Sequence, residues 1–291
     1  MKANLFIAGA CKSGTTFLHD VLSQQDDVIG ANPKEPYFFE LPKRIRDVQE
    51  YHSKYFEAYT NQKYLLDSRH RTMFFSWIPK DLYDYNPESK LIFMLRNPID
   101  RAYSHWWMWY SRGVIKTSFD ETIKNEMKSI QDNGSFMDIS PEDYHSFVRN
   151  NSHQQRLAYA DANTVLESGY YFEQIKRFQD YFDNSNMLIL NFNMVFDLPK
   201  MNKTLSEFLD IEITDSAINK RQNKAKNYKQ TKHVLAPFLP NWVKRKVKDV
   251  FFKKPKISSK TYTLLQEHYK EHNKKLISEF NLQFVKEWQS N

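Results

Sequence analysis

Short apolar runs alternate with longer stretches of mixed polar and hydrophobic residues along this chain of 291 residues. Such runs are typical of strands that are buried on both faces of a parallel sheet, and the stretches between them carry helical periodicity. The pattern therefore predicts an α/β fold in which helices flank a central parallel sheet. The predicted strands lie at residues 3–9, 27–31, 63–68 and 90–95.

The middle of the chain, residues 111–165, is polar and predicted to be helical. Two helix starts are indicated by Ser118 and Ser140, each followed by acidic residues within the next three positions. The chain contains no apolar run long enough for a transmembrane helix. We expect residues 1–291 to form a single domain with a sizeable core.

The first strand leads into a loop that is suited to binding an anion. Gly9 and Gly14 have the spacing of a nucleotide-binding P-loop, and a helical pattern begins at Thr15. Backbone N–H groups at such a helix start point at one spot and carry partial positive charge. In ATP-binding loops the lysine directly follows the second glycine, whereas Lys12 lies two residues before Gly14. Thr16 follows Thr15 and adds a second hydroxyl group. The loop therefore predicts a P-loop-type three-layer fold that binds phosphate, without the residues of an ordinary ATPase.

A second candidate anion site follows the fourth predicted strand. Arg96 lies at the carboxyl end of that strand, where open α/β sheets bind ligands. Asn97 is a suitable N-cap and Pro98 a suitable first residue for the next helix. Ser104 falls about two turns into that helix. A guanidinium and a hydroxyl at this position predict a clamp for a second phosphate.

Together, the segments K-S-G-T-T and L-R-N-P-I-D-R-A-Y-S-H-W resemble the two cofactor motifs of sulfotransferases that use 3′-phosphoadenosine-5′-phosphosulfate (PAPS). In that family the first motif holds the 5′-phosphosulfate and the second holds the 3′-phosphate. The resemblance implies PAPS as cofactor, 3′-phosphoadenosine-5′-phosphate (PAP) as product and no required metal. It implies cofactor contacts from Lys12, Ser13, Gly14, Thr15, Thr16, Arg96 and Ser104.

Other segments resemble the branch of this family that sulfates glycans, which contains the heparan-sulfate-type enzymes and bacterial relatives. Residues 32–39 resemble its K-E-P-x-F-F segment, and residues 168–175 resemble its G-x-Y helix start, which implies Tyr171 as a cofactor contact. Residues 187–192 resemble the strand that follows, and residues 268–288 the closing helix. The resemblance implies a glycan acceptor and a cleft shaped in part by the middle of the chain.

Sulfuryl transfer needs a base that takes the proton of the acceptor and cations that stabilise the leaving phosphate. Lys12 and the loop N–H groups fit the leaving side. The glycan branch uses a glutamate before proline as base, which implies Glu35, next to Lys34. The cytosolic small-molecule branch uses a histidine, and His70, soon after the third predicted strand, is the alternative base.

Five more residues near these motifs carry reactive or charged groups. His19 and His105 lie in the helices beside the two anion sites. Arg69 and Arg71 follow the third strand, where they face either an anionic acceptor or solvent. The single cysteine, Cys11, is expected to be structural rather than nucleophilic. One cysteine allows no disulfide within the chain, which suits a reducing compartment.

The formal net charge of +7 comes from one segment. Residues 220–256 contain thirteen Lys or Arg residues and one acid, Asp249. In the family the matching region is a lid over the cofactor, and residues 241–251 also have the pattern of a basic amphipathic helix. A solvated charged face, an anionic glycan groove and peripheral contact with a membrane or another anionic polymer all remain open for this segment.

Three readings of the chain compete. The first is a PAPS-dependent sulfotransferase that acts on a glycan or on a small or lipid-linked acceptor. A kinase or NTPase is disfavoured by the displaced Lys12, and a nucleic-acid-binding module explains the basic segment but not the two anion motifs. Because the first strand leaves no room for a signal peptide, we expect a cytoplasmic enzyme of bacterial type.

Overall fold

A computed structural model describes residues 2–150, 160–214 and 254–289. In this part of the chain five strands form one sheet in the order β2-β3-β1-β4-β5, and all neighbouring pairs are parallel. The strands confirm the predicted runs, with ends that differ by one or two residues. They are β1 (Leu5–Gly9), β2 (Val28–Gly30), β3 (Tyr64–Ser68), β4 (Lys90–Leu95) and β5 (Met187–Asn191).

Nine α-helices are described with bounds. They are α1 (Thr15–Leu22), α2 (Val48–Tyr55), α3 (Ile78–Tyr85), α4 (Pro98–Tyr110), α5 (Phe119–Asn133), α6 (Pro141–Asn150), α7 (Tyr171–Gln179), α8 (Leu198–Leu209) and α9 (Ser259–Phe280). Both predicted helix starts in the middle of the chain are present. The Ser118 hydroxyl accepts from the N–H of Glu121, and the Ser140 hydroxyl accepts from the N–H of Asp143.

The sheet has two buried faces because successive side chains of each strand alternate between them. On one face, Ile7 and Ile92 pack with the apolar residues of α1 and α8. On the other, Phe6 and Phe93 join a larger aromatic core with α3, α4, α7 and α9. Helices therefore cover both faces, as predicted for a three-layer fold of the P-loop type.

Strand β1 lies between β3 and β4 in the sheet. The chain adds β2 and β3 on one side of β1 and β4 and β5 on the other. Leu5 is paired with Leu66 of β3 and with Lys90 of β4. Because all three strands run in the same direction, their following loops leave from one edge of the sheet. Open α/β sheets bind ligands in the crevice at such a point.

The carboxyl end of β3 carries a buried acid. Asp67 is 2% exposed and accepts a 2.7 Å hydrogen bond from the Tyr51 hydroxyl of α2. Burial raises the pKa of Asp67 to about 7, although the hydrogen bond and the charges of Arg69 and Lys34 oppose the shift. The folded protein thus favours the protonated form of this carboxyl.

The described residues include no helix that is long and apolar enough to cross a membrane. Of the basic segment 220–256, residues 254–256 alone fall within the described ranges. The predicted lid and the amphipathic pattern at 241–251 lie outside the described residues.

The Asp67→Asn variant tests the protonation of this buried acid. Unfolded Asp67 ionises around its ordinary value of 3.8, whereas the folded carboxyl holds its proton to about pH 7. The unfolded state therefore binds fewer protons across this range, so Asp67 costs stability as the pH rises. We expect the free energy of unfolding, measured in urea, to fall between pH 5 and pH 8 in the wild type. In the variant this fall should be smaller by about 1–3 kcal/mol. The exposed Asp26→Asn variant is the control, and parallel pH profiles for Asp67→Asn and wild type would contradict the assignment.

Candidate active site

The loop between β1 and α1 has the conformation of an anion cradle. Lys12 and Gly14 both adopt left-handed backbone angles, with φ of 64° and 89°. A Cβ at Gly14 would lie 3.2 Å from the Met94 sulfur and from the Phe192 ring, so both the space and the φ angle favour glycine. Gly14 caps α1 without a side-chain hydrogen bond, which leaves the first N–H groups of the helix available to a ligand.

The side chains of this loop point in different directions. Ser13 and Thr15 are buried, whereas Thr16 is exposed. Lys12 is half-buried, and its Nζ lies 3.6 Å from the sulfur of Met108 on α4. The lysine therefore leans from the first motif toward the helix of the second motif.

The second motif forms the start of α4, as predicted. The Asn97 side chain accepts a 2.9 Å hydrogen bond from the N–H of Ile99, and Pro98 is the first helical residue. The Arg96 guanidinium lies over the Phe192 ring, 4.8 Å from its centroid. Ser104 is half-buried on α4, two turns from the helix start.

Tyr171 contacts the backbone of the turn at Arg96. Its hydroxyl donates a 2.9 Å hydrogen bond to the carbonyl of Arg96, and its side chain is fully buried. Burial raises the pKa of Tyr171 to about 12, against the opposing charge of Arg101. The Tyr171 ring also contacts Trp288, with centroids 6.1 Å apart. The hydroxyl thus fixes the backbone at Arg96.

Lys254, which is distant in sequence, lies close to residues of both motifs. Its Nζ lies 4.0 Å from the centroid of the Tyr103 ring on α4. Partial burial and the positive charges of Arg96 and Lys12 lower the pKa of Lys254, while Asp100 opposes the shift. Among the described residues, none of these three cations forms an ion pair with a carboxylate. Three positive charges therefore lie within electrostatic reach of one another beside the start of α1.

The loop after β2 brings Glu35 and His70 together. One oxygen of Glu35 lies 3.1 Å from Lys34 Nζ and 3.6 Å from His70 Nδ1. Burial alone would raise the pKa of Glu35, but the contact with His70 and the charges of His70, Lys34 and Arg69 hold that pKa below its usual range. Glu35 is therefore a carboxylate at neutral pH. The two alternative bases predicted from the sequence are neighbours in one site.

His70 also binds a second carboxylate. Its Nε2 lies 3.1 Å from Oδ1 of Asp161, a residue that no motif indicated. Burial alone would lower the pKa of His70, but the charges of Cys11 and Asp161 raise it well above its ordinary value. A carboxylate accepts and does not donate, so an imidazolium between Glu35 and Asp161 satisfies both contacts.

Arg69 and Arg71 do not reach solvent, contrary to one of the two placements expected from the sequence. Both are buried, and their guanidinium groups neutralise buried acids. Arg69 pairs with Glu40, and Arg71 donates to Asp161 at 3.2 Å and to the Tyr144 hydroxyl at 3.1 Å. These pairs stiffen the loop that carries His70.

Cys11 lies beside His105 and Asp161, and their ligand atoms are within 4.8 Å of one another. Burial raises the pKa of the Cys11 thiol, but the charges of His105 and His70 outweigh it and lower that pKa to about 6. Cysteine, histidine and aspartate are metal-binding types. Here His105 Nδ1 lies 3.2 Å from the Arg101 guanidinium and His105 Nε2 donates to Oδ2 of Asp161 at 3.1 Å, so both imidazole nitrogens already have close partners.

The middle of the chain forms the wall of a cavity of about 1010 Å³ beside α5. Uncharged polar side chains, including Asn125, Ser129 and Asn133, line much of it. Phe136 and Phe147 add aromatic surface. The Phe136 ring also contacts Phe74 and Phe75, which follow the loop that carries His70.

Sequence reasoning missed Asp161 and did not single out Lys254. Asp161 follows no motif, but it is a lone acid between Ala160 and Ala162, and a carboxylate among small apolar residues has to find buried partners. Lys254 was one of many cations in the basic segment, and only its contact with Tyr103 distinguishes it. His19, a weaker candidate base, is buried and bonded to Ser68 at 2.8 Å.

Two relatives align with parts of this chain. The membrane-associated sulfotransferase kil1 of Dictyostelium discoideum is 29% identical over 140 residues, which are 44% of this chain and 29% of that protein. The bifunctional heparan sulfate N-deacetylase/N-sulfotransferase 1 of Xenopus laevis is 26% identical over 221 residues, which are 71% of this chain and 22% of that protein. The chain therefore spans less than a third of the length of either relative.

The fold is that of a solved sulfotransferase from Alicyclobacillus acidocaldarius. The two structures superpose with a TM-score of 0.65 at 20% sequence identity, over 96% of this chain and 95% of the other. The profile of the family described as the sulfotransferase domain matches residues 2–280, nearly the whole sequence. The two motifs that resemble the PAPS-binding segments fall inside this match and lie at one edge of the sheet. The chain belongs to the sulfotransferase family.

Proposed function

We propose that this sulfotransferase transfers a sulfuryl group from PAPS to a hydroxyl or amine of a glycan. The observation that carries the proposal is the composition of one sheet edge. It holds three cations that form no ion pair among the residues that the structure describes, beside a helix start without a side-chain cap, and, on the adjoining loops, the pair formed by Glu35 and His70. An anionic donor and a proton-bearing acceptor each have a suitable place there.

The part of the site that contains Lys12, Arg96 and Lys254, here called the cation side, fits a nucleotide with two separate phosphate groups. Lys12 and the N–H groups at the start of α1 would hold the 5′-phosphosulfate, and Arg96 with Ser104 would hold the 3′-phosphate. Lys254 is placed to add charge between them. Tyr171 would act through the backbone of Arg96. When bound, PAPS supplies an activated sulfuryl group on a phosphate that leaves with added negative charge.

The leaving side needs donors that are in place before the reaction. The N–H groups of the Gly14–Thr16 turn and the ammonium of Lys12 provide them without further rearrangement.

The acceptor side needs an unprotonated base. His70 is held as an imidazolium by two carboxylates, so the lone pairs that can take the acceptor proton are those of Glu35. Lys34 keeps this carboxylate ionised. We therefore assign the base to Glu35, with His70 as its charged neighbour.

Four features support a glycan acceptor. Residues 32–39 carry the K-E-P-x-F-F segment, and the Xenopus laevis relative is named for heparan sulfate. The cavity beside α5 is lined by amides, hydroxyls and aromatic rings, which suit the hydroxyl groups and apolar faces of sugar rings, together with Lys116 and the acids Glu126, Asp138 and Glu167. The basic segment 220–256 would attract an anionic glycan.

Binding of PAP tests the cation side. Arg96→Gln should weaken PAP binding by about 10–100-fold and leave ADP binding within threefold, because the lost charge-assisted contact concerns the 3′-phosphate. Lys254→Gln should weaken PAP binding by about fivefold or more. Calorimetry at fixed salt measures both effects.

The matched control is Lys256→Gln, which removes an exposed cation two residues from Lys254. It should leave PAP affinity within twofold of the wild type. Equal losses for PAP and ADP in Arg96→Gln, or no binding of PAP to the wild type, would contradict the assignment of the second phosphate site.

Transfer from ³⁵S-labelled PAPS to N-desulfated heparan sulfate tests the base. Glu35→Gln should reduce kcat by about 10²–10⁴-fold while PAP affinity stays unchanged, because only proton transfer is lost. His70→Gln should cost less than Glu35→Gln.

The exposed Glu88→Gln variant serves as the control for loss of an acid and should keep wild-type turnover. A larger loss in His70→Gln than in Glu35→Gln would assign the base to the histidine instead. Labelling of p-nitrophenol but not of the polysaccharide would replace the glycan with a small hydroxylated acceptor.

A further inference from the structure

Asp161 lies where the two sides of the site meet, in the helical residues 160–162, and a turn at residues 163–166 leads from there to the 3₁₀ helix Glu167–Gly169. Its side chain is buried, with an exposed fraction of 5% for the residue. A buried carboxylate is costly unless its oxygens are fully hydrogen-bonded, so its partners decide what it does.

Four side chains donate to the two oxygens of Asp161. His70 Nε2 and Arg71 donate to Oδ1 at 3.1 and 3.2 Å. His105 Nε2 and Trp109 Nε1 donate to Oδ2 at 3.1 and 3.0 Å. The donors come from the loop after β3 and from α4, so Asp161 ties the segment that carries His70 to the helix that carries Ser104.

These contacts determine how the His70 ring is presented. An imidazole has two nitrogens on opposite sides of the ring. Asp161 takes Nε2, so Nδ1 is turned toward Glu35, at 3.6 Å from its nearer oxygen. Since Arg71 and Trp109 hold Asp161 from other directions, the ring orientation does not depend on a bound ligand.

We propose that Asp161 is a positioning residue for sulfuryl transfer, which anchors Nε2 of His70 so that Nδ1 faces the carboxylate of Glu35. The inference rests on the role proposed above for Glu35. Asp161 acts through His70 and needs no contact with the donor or the acceptor. It thereby keeps the positive charge of the imidazolium next to the base.

The charged groups around His70 come from several segments. Glu35 faces Nδ1, Asp161 faces Nε2, and the Cys11 thiol contributes negative charge from the loop after β1. Arg71 shares the same oxygen of Asp161, and Lys34 lies beyond Glu35. Loss of the Asp161 charge leaves Glu35 and Cys11 to hold the imidazolium, so the ring should release its proton at lower pH.

The test uses Asp161→Asn, which keeps the size of the side chain and removes its charge. In the full-length protein with the histidines isotopically labelled, the pKa of His70 measured by NMR titration should fall by at least one unit. In ³⁵S transfer to N-desulfated heparan sulfate, kcat should fall at least tenfold while PAP affinity and the KM for PAPS stay within threefold. An unchanged His70 titration together with unchanged kcat would overturn the proposal.

Glu40→Gln is the matched control. Glu40 is also a buried carboxylate that accepts from an arginine of the same loop and from Tyr144, but it does not contact His70. It should leave the pKa of His70 within a few tenths of the wild-type value, even if thermal stability drops. A shift as large as that of Asp161→Asn would assign the effect to loop stability and overturn the positioning role.

A measurement on the wild type covers the case in which Asp161→Asn does not fold. The ¹⁵N shifts of His70, assigned by comparison with His70→Gln, should show both nitrogens protonated at pH 7. A neutral ring without a proton on Nε2 would overturn the proposal. The titration needs neither donor nor acceptor, so it still decides the role of Asp161 if Glu35→Gln keeps wild-type turnover and the proposed base is wrong.

Discussion

The direction of three neighbouring strands is the constraint on which the site depends. Because β1 lies between β3 and β4 and all three are parallel, the loops that follow them leave from one edge. Residues far apart in sequence, such as Cys11, His70 and Arg96, therefore meet without any long excursion of the chain. The two helices that begin at this edge bring their N–H groups to it, so the backbone is already suited to an anion before any side chain is considered.

The electrostatics divide this edge into two parts. One part collects Lys12, Arg96 and Lys254 without carboxylate partners among the described residues, and charge left unpaired in this way is available to a ligand. In the other part, Glu40 pairs with Arg69 and Asp161 pairs with Arg71, and all four residues are buried. The proposed reaction needs this division. Strong pairing would fix the groups proposed for proton transfer, and cations without ion pairs would be available to the proposed donor.

The sequence predicted the parts of this arrangement that depend on local patterns. The apolar runs predicted the strands, and the spacing of the glycines predicted the loop at Gly14. Asn97 and Pro98 predicted the start of α4. Contacts between distant segments had no such pattern. Arg69 and Arg71 are buried where Glu40 and Asp161 pair with them, and both acids lie elsewhere in the sequence. The proposed role of Lys254 depends on its packing against the Tyr103 ring of α4. For the same reason the sequence offered Glu35 and His70 as alternatives, whereas the folded chain makes them neighbours.

The contact of Tyr171 with both Arg96 and Trp288 has a consequence for synthesis of the protein. Chains leave the ribosome from the N-terminus onward, and early segments begin to fold first. The loop at Gly14 is made before Tyr171, which steadies the Arg96 turn and packs against Trp288, and before Lys254. A nascent chain would thus carry the loop with Lys12 until Tyr171, Lys254 and Trp288 have been made. The loop after β1 therefore reaches its folded surroundings only after these later residues have emerged.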